Sequence, residues 1–174
     1  MREFFKRHRM RLLYFFIIVI GVLFDQFTKK LAVTHLKNAP AFPLWEGVLH
    51  FSYLENRGAA FGILQNQRWL FLTFSSVAIL LLFAYLFYGV SYFSEKDAQG
   101  KYPPIAPLGG VALALIVSGG IGNMIDRIAL GYVVDFIDFT LIDFAVFNVA
   151  DSFVTVGAFM LALHLLIPLF RKKG

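Results

Sequence analysis

No cysteine occurs among the 174 residues. Disulfides, zinc–thiolate sites and thiol nucleophiles are therefore excluded, and any nucleophile is water, a hydroxyl or a carboxylate. Charge is scarce as well: Asp, Glu, Lys and Arg make up 16% of the chain, against 59% hydrophobic residues and a mean hydropathy of +0.70. That balance excludes an ordinary soluble domain and indicates a single membrane domain over residues 1–174. A phosphate cradle is also missing, since "SGGIGN" (residues 118–123) has no strand before it and no Lys-Ser/Thr after it. His35, His50 and His164 do not share metal-ligand spacing, so no metal and no cofactor are expected. The net charge of +5 does not point to nucleic acid, because the basic residues gather at the two ends and beside apolar segments. The 21 phenylalanines read as lipid-facing bulk.

A bilayer core of roughly 30 Å needs about 20 apolar residues of helix. Residues 69–93 and 102–125 carry no charge, and residues 152–170 carry none apart from the titratable His164. The run "LLYFFIIVIGVLF" has only 13 residues, about 20 Å of helix, so that helix must continue through Asp25, Thr28 and Lys29. The basic "MREFFKRHRMR" before it mimics a secretory signal. No A-x-A sequence follows, however, and residues 25–30 are too charged for a cleavage region, so the segment is expected to remain as a first span. The expectation is an all-α integral membrane protein with four transmembrane helices, at residues 12–33, 69–93, 105–127 and 148–170.

Lys and Arg set the direction. The N-terminal tail, the loop "SEKDAQGKYPP" and the tail "RKKG" hold ten, whereas the opposite side holds six: Lys29, Lys30, Lys37, Arg57, Arg68 and Arg127. The ten belong in the cytoplasm, with both termini. Residues 34–68 form the longest non-spanning segment, and the alternating "VLHFSYLEN" and glycine-bounded "GAAFG" within it suggest a short strand pair on the outer face. The polar loop 94–104 is a plain connector.

This topology sends the unusual polar residues to one membrane face. Gly119, Gly122, Asn123 and Asp126 follow i, i+3, i+4, i+7, as do Asn148, Asp151, Ser152 and Thr155, while Asp25, Thr28 and Lys29 do so over one turn. Three helices thus offer polar stripes at one depth. Plainer roles exist for each: Asn148 is a good helix N-cap, Asp151 a first-turn carboxylate favoured by the macrodipole, Asp126–Arg127 an interfacial ion pair, and the glycines a close helix contact. "GYVVDFIDFTLIDF", linking the last two spans, sets three aspartates among large apolar residues, an awkward composition for a solvated loop. Two carboxylates sharing a site retain one proton near neutral pH, so one acts as base while the other donates. That is the chemistry of aspartyl peptide hydrolysis.

Five blocks, "DQFTK", "NRGAAFG", "GGIGNMIDR", "GYVVDFIDF" and "FNVAD", resemble in order and spacing the motifs of the lipoprotein signal peptidases, the signal peptidase II family of bacterial inner membranes. The resemblance implies a small extracytoplasmic β-cradle and an endopeptidase that cuts prolipoproteins just before a cysteine carrying diacylglycerol. It implies Asp135 and Asp151 as the catalytic pair, selecting Asp135 over Asp138 and Asp143, with Asp25, Lys29, Asn56, Asn123, Asp126, Arg127 and Asn148 in support. The partners expected are lipid-modified prolipoproteins and membrane lipid, with the protein acting as a monomer and the site near the outer face. A proton- or ion-coupled transporter subunit is the rival reading. It requires polar residues at mid-depth in several spans, and residues 69–93 offer little beyond Thr73, Ser75 and Ser76.

Overall fold

The computed structural model describes residues 2–58, 68–89 and 107–171. Helix α1 (Arg2–His35) contains no proline, and it stops just before Asn38, which takes a left-handed φ of 71°, and Pro40. Tyr14, Ile18, Gly21, Asp25, Lys29 and Ala32 form its buried stripe at spacings of three and four. The stripe is apolar over the first half and charged over the second. After the strands β1 (Phe42–Trp45) and β2 (Leu49–Asn56) come α2 (Arg68–Ala84), which passes into a π-helical turn Tyr85–Gly89, and α3 (Pro107–Ala129). Then follow β3 (Val133–Asp138), a 3-10 turn Thr140–Ile142, and α4 (Val149–Arg171).

Among the described residues, three helices are long and apolar enough to cross a membrane: His8–His35, Pro107–Ala129 and Val149–Ile167. They match the first, third and fourth expected spans to within a few residues. The apolar helix Leu72–Tyr88 is shorter, and the remainder of the second expected span, together with the connector 94–104, lies outside the described residues.

Helix α3 is central, packing against α1, α2 and α4. Its small residues allow this: a Cβ on Gly119 would strike the backbone carbonyl oxygen of Ala150 and the Val154 side chain. The glycine stripe therefore serves close helix contact and the polar site together. Gly119→Val is expected to destabilise the protein by at least about 1–3 kcal/mol through overpacking. Tryptophan-fluorescence melting in detergent reads this, and an unchanged melt would contradict the close approach. Tyr14, Ile18, Ile79, Leu113 and Val117 form the apolar core of one half of the bundle.

The strands form an antiparallel sheet in the order β1-β2-β3. "VLHFSYLEN" does form a strand, β2, but its partners are β1 and β3; most of "GAAFG" lies outside the described residues. The segment expected only as an awkward link between spans thus supplies a strand, positioned by Leu54↔Asp135 and Asn56↔Val133 pairing. Gly131, at φ 86°, makes the turn from α3 into β3. On one side of the sheet Val134 and Phe136 pack with Ala32, Leu36 and Phe51, anchoring it to the end of α1. Val133 and Asp135 line a cavity.

Candidate active site

Helix α4 begins with a reciprocal cap. The Asp151 N–H donates to Asn148 Oδ1 (2.9 Å) while the Asn148 N–H donates to Asp151 Oδ2 (3.2 Å), an Asn-x-x-Asp version of the capping box. The capping expected for this stretch is present, and it also orients a carboxylate. The other Asp151 oxygen, Oδ1, accepts from Asn123 Nδ2 on α3 at 2.7 Å.

Asn148, fully buried, also reaches the sheet. Its Nδ2 donates to Asp135 Oδ1 at 2.6 Å and to Asn123 Oδ1 at 3.1 Å. Asn56 Nδ2, from the end of β2, donates to Asp135 Oδ2 at 2.9 Å, and Asn56 Oδ1 accepts from the Gly58 N–H at 3.0 Å. Two carboxylates from different elements are thereby joined through one asparagine. Of the three aspartates in the link, Asp135 is 1% exposed, whereas Asp143 lies at the surface and Asp138, half-buried, accepts from Ser52. Burial pushes the Asp135 carboxyl up to about 6; the bonds from Asn56 and Asn148 oppose this, and the nearby Asp151 charge adds to it.

A charged layer lies behind the pair. Lys29 Nζ is 3.0 Å from Asp25 Oδ2 and 3.1 Å from Asp126 Oδ2, and it donates to Asn123 Oδ1 at 2.9 Å. Asp25 Oδ1 accepts the Ala150 N–H at 2.8 Å, so α1 caps the first turn of α4. Asp126 Oδ2 accepts the Val134 N–H at 3.0 Å, which ties α3 to β3. Each buried carboxylate thus holds a backbone amide of an element bearing one of the two cavity aspartates. Arg127 donates to the carbonyls of Asn123 (3.4 Å) and Gly58 (3.5 Å) and lines the cavity.

All nine residues singled out in the sequence therefore belong to one connected region. Sequence reasoning missed Gln26, whose Nε2 donates to Asp126 Oδ1 (2.9 Å), Gly122 O and Asp25 Oδ2 (both 3.2 Å). A polar residue inside a membrane helix was the available signal, but Gln26 falls off the Asp25–Lys29 stripe.

Asn56, Asn123, Arg127, Asp135, Asp151 and Ser152 open onto a cavity of about 830 Å³, whose other walls include Leu54, Phe144, Val146 and Val154. This is a multi-pass membrane protein with two carboxylates, Asp135 and Asp151, in a largely apolar cavity at one end of its helices. The signal peptidase (SPase) II family matches residues 17–167. A lipoprotein signal peptidase of Clostridioides difficile is 39% identical over 163 residues, covering 94% of this chain and 99% of that one. Another, from Caldanaerobacter subterraneus subsp. tengcongensis, is 44% identical over 145 residues, covering 83% and 90%. A solved bacterial membrane enzyme superposes with a TM-score of 0.73 at 32% identity, covering 93% of this chain and 90% of that chain. The chain belongs to the signal peptidase II family. It is an enzyme of the aspartic peptidase type.

Proposed function

We propose that this enzyme removes signal peptides from diacylglyceryl-modified prolipoproteins, cutting before the lipidated cysteine, with Asp135 and Asp151 as its catalytic pair. The observation that carries the assignment is the presence of both carboxylates on one cavity, bridged by Asn148. Asp151, held by the cap at the start of α4, is the base. Asp135, with its raised affinity for a proton, is the acid.

In the first step Asp151 takes a proton from water as the oxygen attacks the scissile carbonyl, and Asp135 gives its proton to the carbonyl oxygen. The tetrahedral carbon then collapses: one hydroxyl returns its proton to Asp135 as the C=O bond re-forms, the C–N bond breaks, and the amine leaves with the proton from Asp151. Asn56 and Arg127 hold the substrate backbone or its polar head. Leu54, Phe144, Val146 and Val154 receive apolar substrate, and Asp25, Lys29, Asn123 and Asp126 brace the pair. In this reading α2 is a fourth span, the whole chain is one membrane domain, and both termini are cytoplasmic. The monomer works at the outer face of a bacterial cytoplasmic membrane.

The test compares one prolipoprotein substrate with and without its diacylglyceryl group. Cleavage is expected only, or at least about a hundredfold faster, with the lipid; equal rates would contradict the substrate assignment. The pH dependence follows from the roles. The acid must be protonated, so kcat/KM, which reports the free enzyme, is expected to fall as pH rises through about 6. Bound apolar substrate excludes water and displaces the corresponding limb of kcat to higher pH. A kcat/KM that rises through this range and stays high would reverse the assignment of acid and base.

A further inference from the structure

The end of the sheet remote from the cavity has an unusual surface. All four residues of β1, Phe42, Pro43, Leu44 and Trp45, are exposed, with Trp45 at 67%, and none is polar on either face. The 3-10 turn joins it: the Leu141 N–H donates to Val48 O in the β1–β2 turn, and Leu141 and Ile142 are 67% and 66% exposed. Strand β2 leads from this tip at Leu49 to the cavity at Asn56, roughly 23 Å at about 3.3 Å per residue.

An edge strand left in water is normally short, charged or blocked. This one is short and carries Pro43, which protects its backbone, but its four exposed side chains are all apolar and require cover. Its backbone argues against a second strand as that cover, because Pro43 lacks an N–H and the pairing slips between Pro43 and Trp45. Lipid covers side chains without needing backbone partners. The tip is also continuous with a lipid-facing element, since β1 starts seven residues after α1 ends, and Phe27, Leu31 and Val33 are exposed on the last turns of that helix. Trp and Phe beside Leu suit the headgroup–acyl boundary.

We propose that the tip formed by Phe42, Leu44, Trp45, Leu141 and Ile142 inserts into the headgroup–acyl boundary of the adjacent leaflet, so that the sheet lies along the membrane. Glu46, exposed in the β1–β2 turn, limits the depth because its charge stays with the headgroups. The sheet is then held at both ends, by α1 near the cavity and by lipid at the tip.

The test uses the two tryptophans. Trp69→Phe leaves Trp45 as the sole reporter in full-length protein reconstituted into phosphatidylcholine vesicles. Brominated phosphatidylcholine is expected to reduce Trp45 emission at least about twofold, with aqueous iodide having little effect. Strong iodide quenching without bromolipid quenching would overturn the proposal. So would shielding from both quenchers that disappears on dilution of the protein among lipids, since a second copy would then be the cover. Adding Leu141→Glu and Ile142→Glu is expected to abolish the bromolipid effect and lower cleavage in vesicles about fivefold, with detergent activity within about twofold. Unchanged quenching in that variant would overturn the contribution of the 3-10 turn.

Discussion

Asp135→Asn and Asp151→Asn are each expected to lower turnover of a lipid-modified prolipoprotein by at least about a thousandfold, the scale on which acid–base catalysis fails when a participant is removed. Both substitutions keep the size of the side chain, so the loss is expected to exceed any effect on folding. At position 151 an asparagine still offers one oxygen to the Asn148 N–H and preserves the helix cap. At position 135 it retains one acceptor for the two amides, Asn56 and Asn148, that the carboxylate holds. The measurement is single-turnover cleavage in detergent beside a melting curve for each variant. Asp138→Asn serves as control, expected within about threefold of the parent, because a half-buried carboxylate bonded to Ser52 does not line the cavity. If either dyad variant kept turnover within tenfold of the parent, the pair would be wrongly assigned.

Lys29→Met is expected to produce the second large effect, through stability. Lys29 is 3% exposed, and its ammonium neutralises Asp25 and Asp126 while donating to Asn123. Methionine fills similar space but leaves two buried carboxylates without their cation, a loss of about 3–5 kcal/mol by analogy with broken buried pairs. The expected result is a strongly lowered melting temperature and little activity. Adding Asp25→Asn and Asp126→Asn to Lys29→Met is expected to restore part of the stability, because the remaining groups are then neutral and still bonded to Ala150 and Val134. Simple addition of the separate losses would show that the lysine does not act through these carboxylates.

Much of this arrangement was legible from residue spacing. Three long apolar runs and an i, i+3, i+4 pattern of polar residues gave helix positions to within a few residues, because a helix in lipid satisfies its own backbone and only its faces carry information. The stripe containing Gly119 and Asn123 was readable for the same reason. Strand β3 was not. "VVDFID" alternates little, because Val133 through Phe136 are all buried, with Val134 and Phe136 against α1 and Asp135 against the asparagines. Its pairing with β2 joins residues some 80 positions apart, as in Leu54↔Asp135, and such contacts leave no local trace. Spacing also left three aspartates open; family resemblance chose Asp135, and burial distinguishes that residue independently. Gln26 escaped because a bond reaching three groups on two helices depends on how the helices dock.

The sheet's pairing has a consequence for how errors arise. Side chains alternate along a strand, so a slip of one position between β2 and β3 would turn Asp135 towards α1 and bring an apolar neighbour to face Asn148. Four contacts oppose that slip: Asn56 paired with Val133, the Asp126 bond to the Val134 N–H, and the paired backbone bonds between Ile137 and Phe147. Alignment of the proposed pair, Asp135 and Asp151, is thus a digital property of strand register. A variant that weakens those contacts should yield two populations, one fully active and one inert, rather than a uniformly slower enzyme.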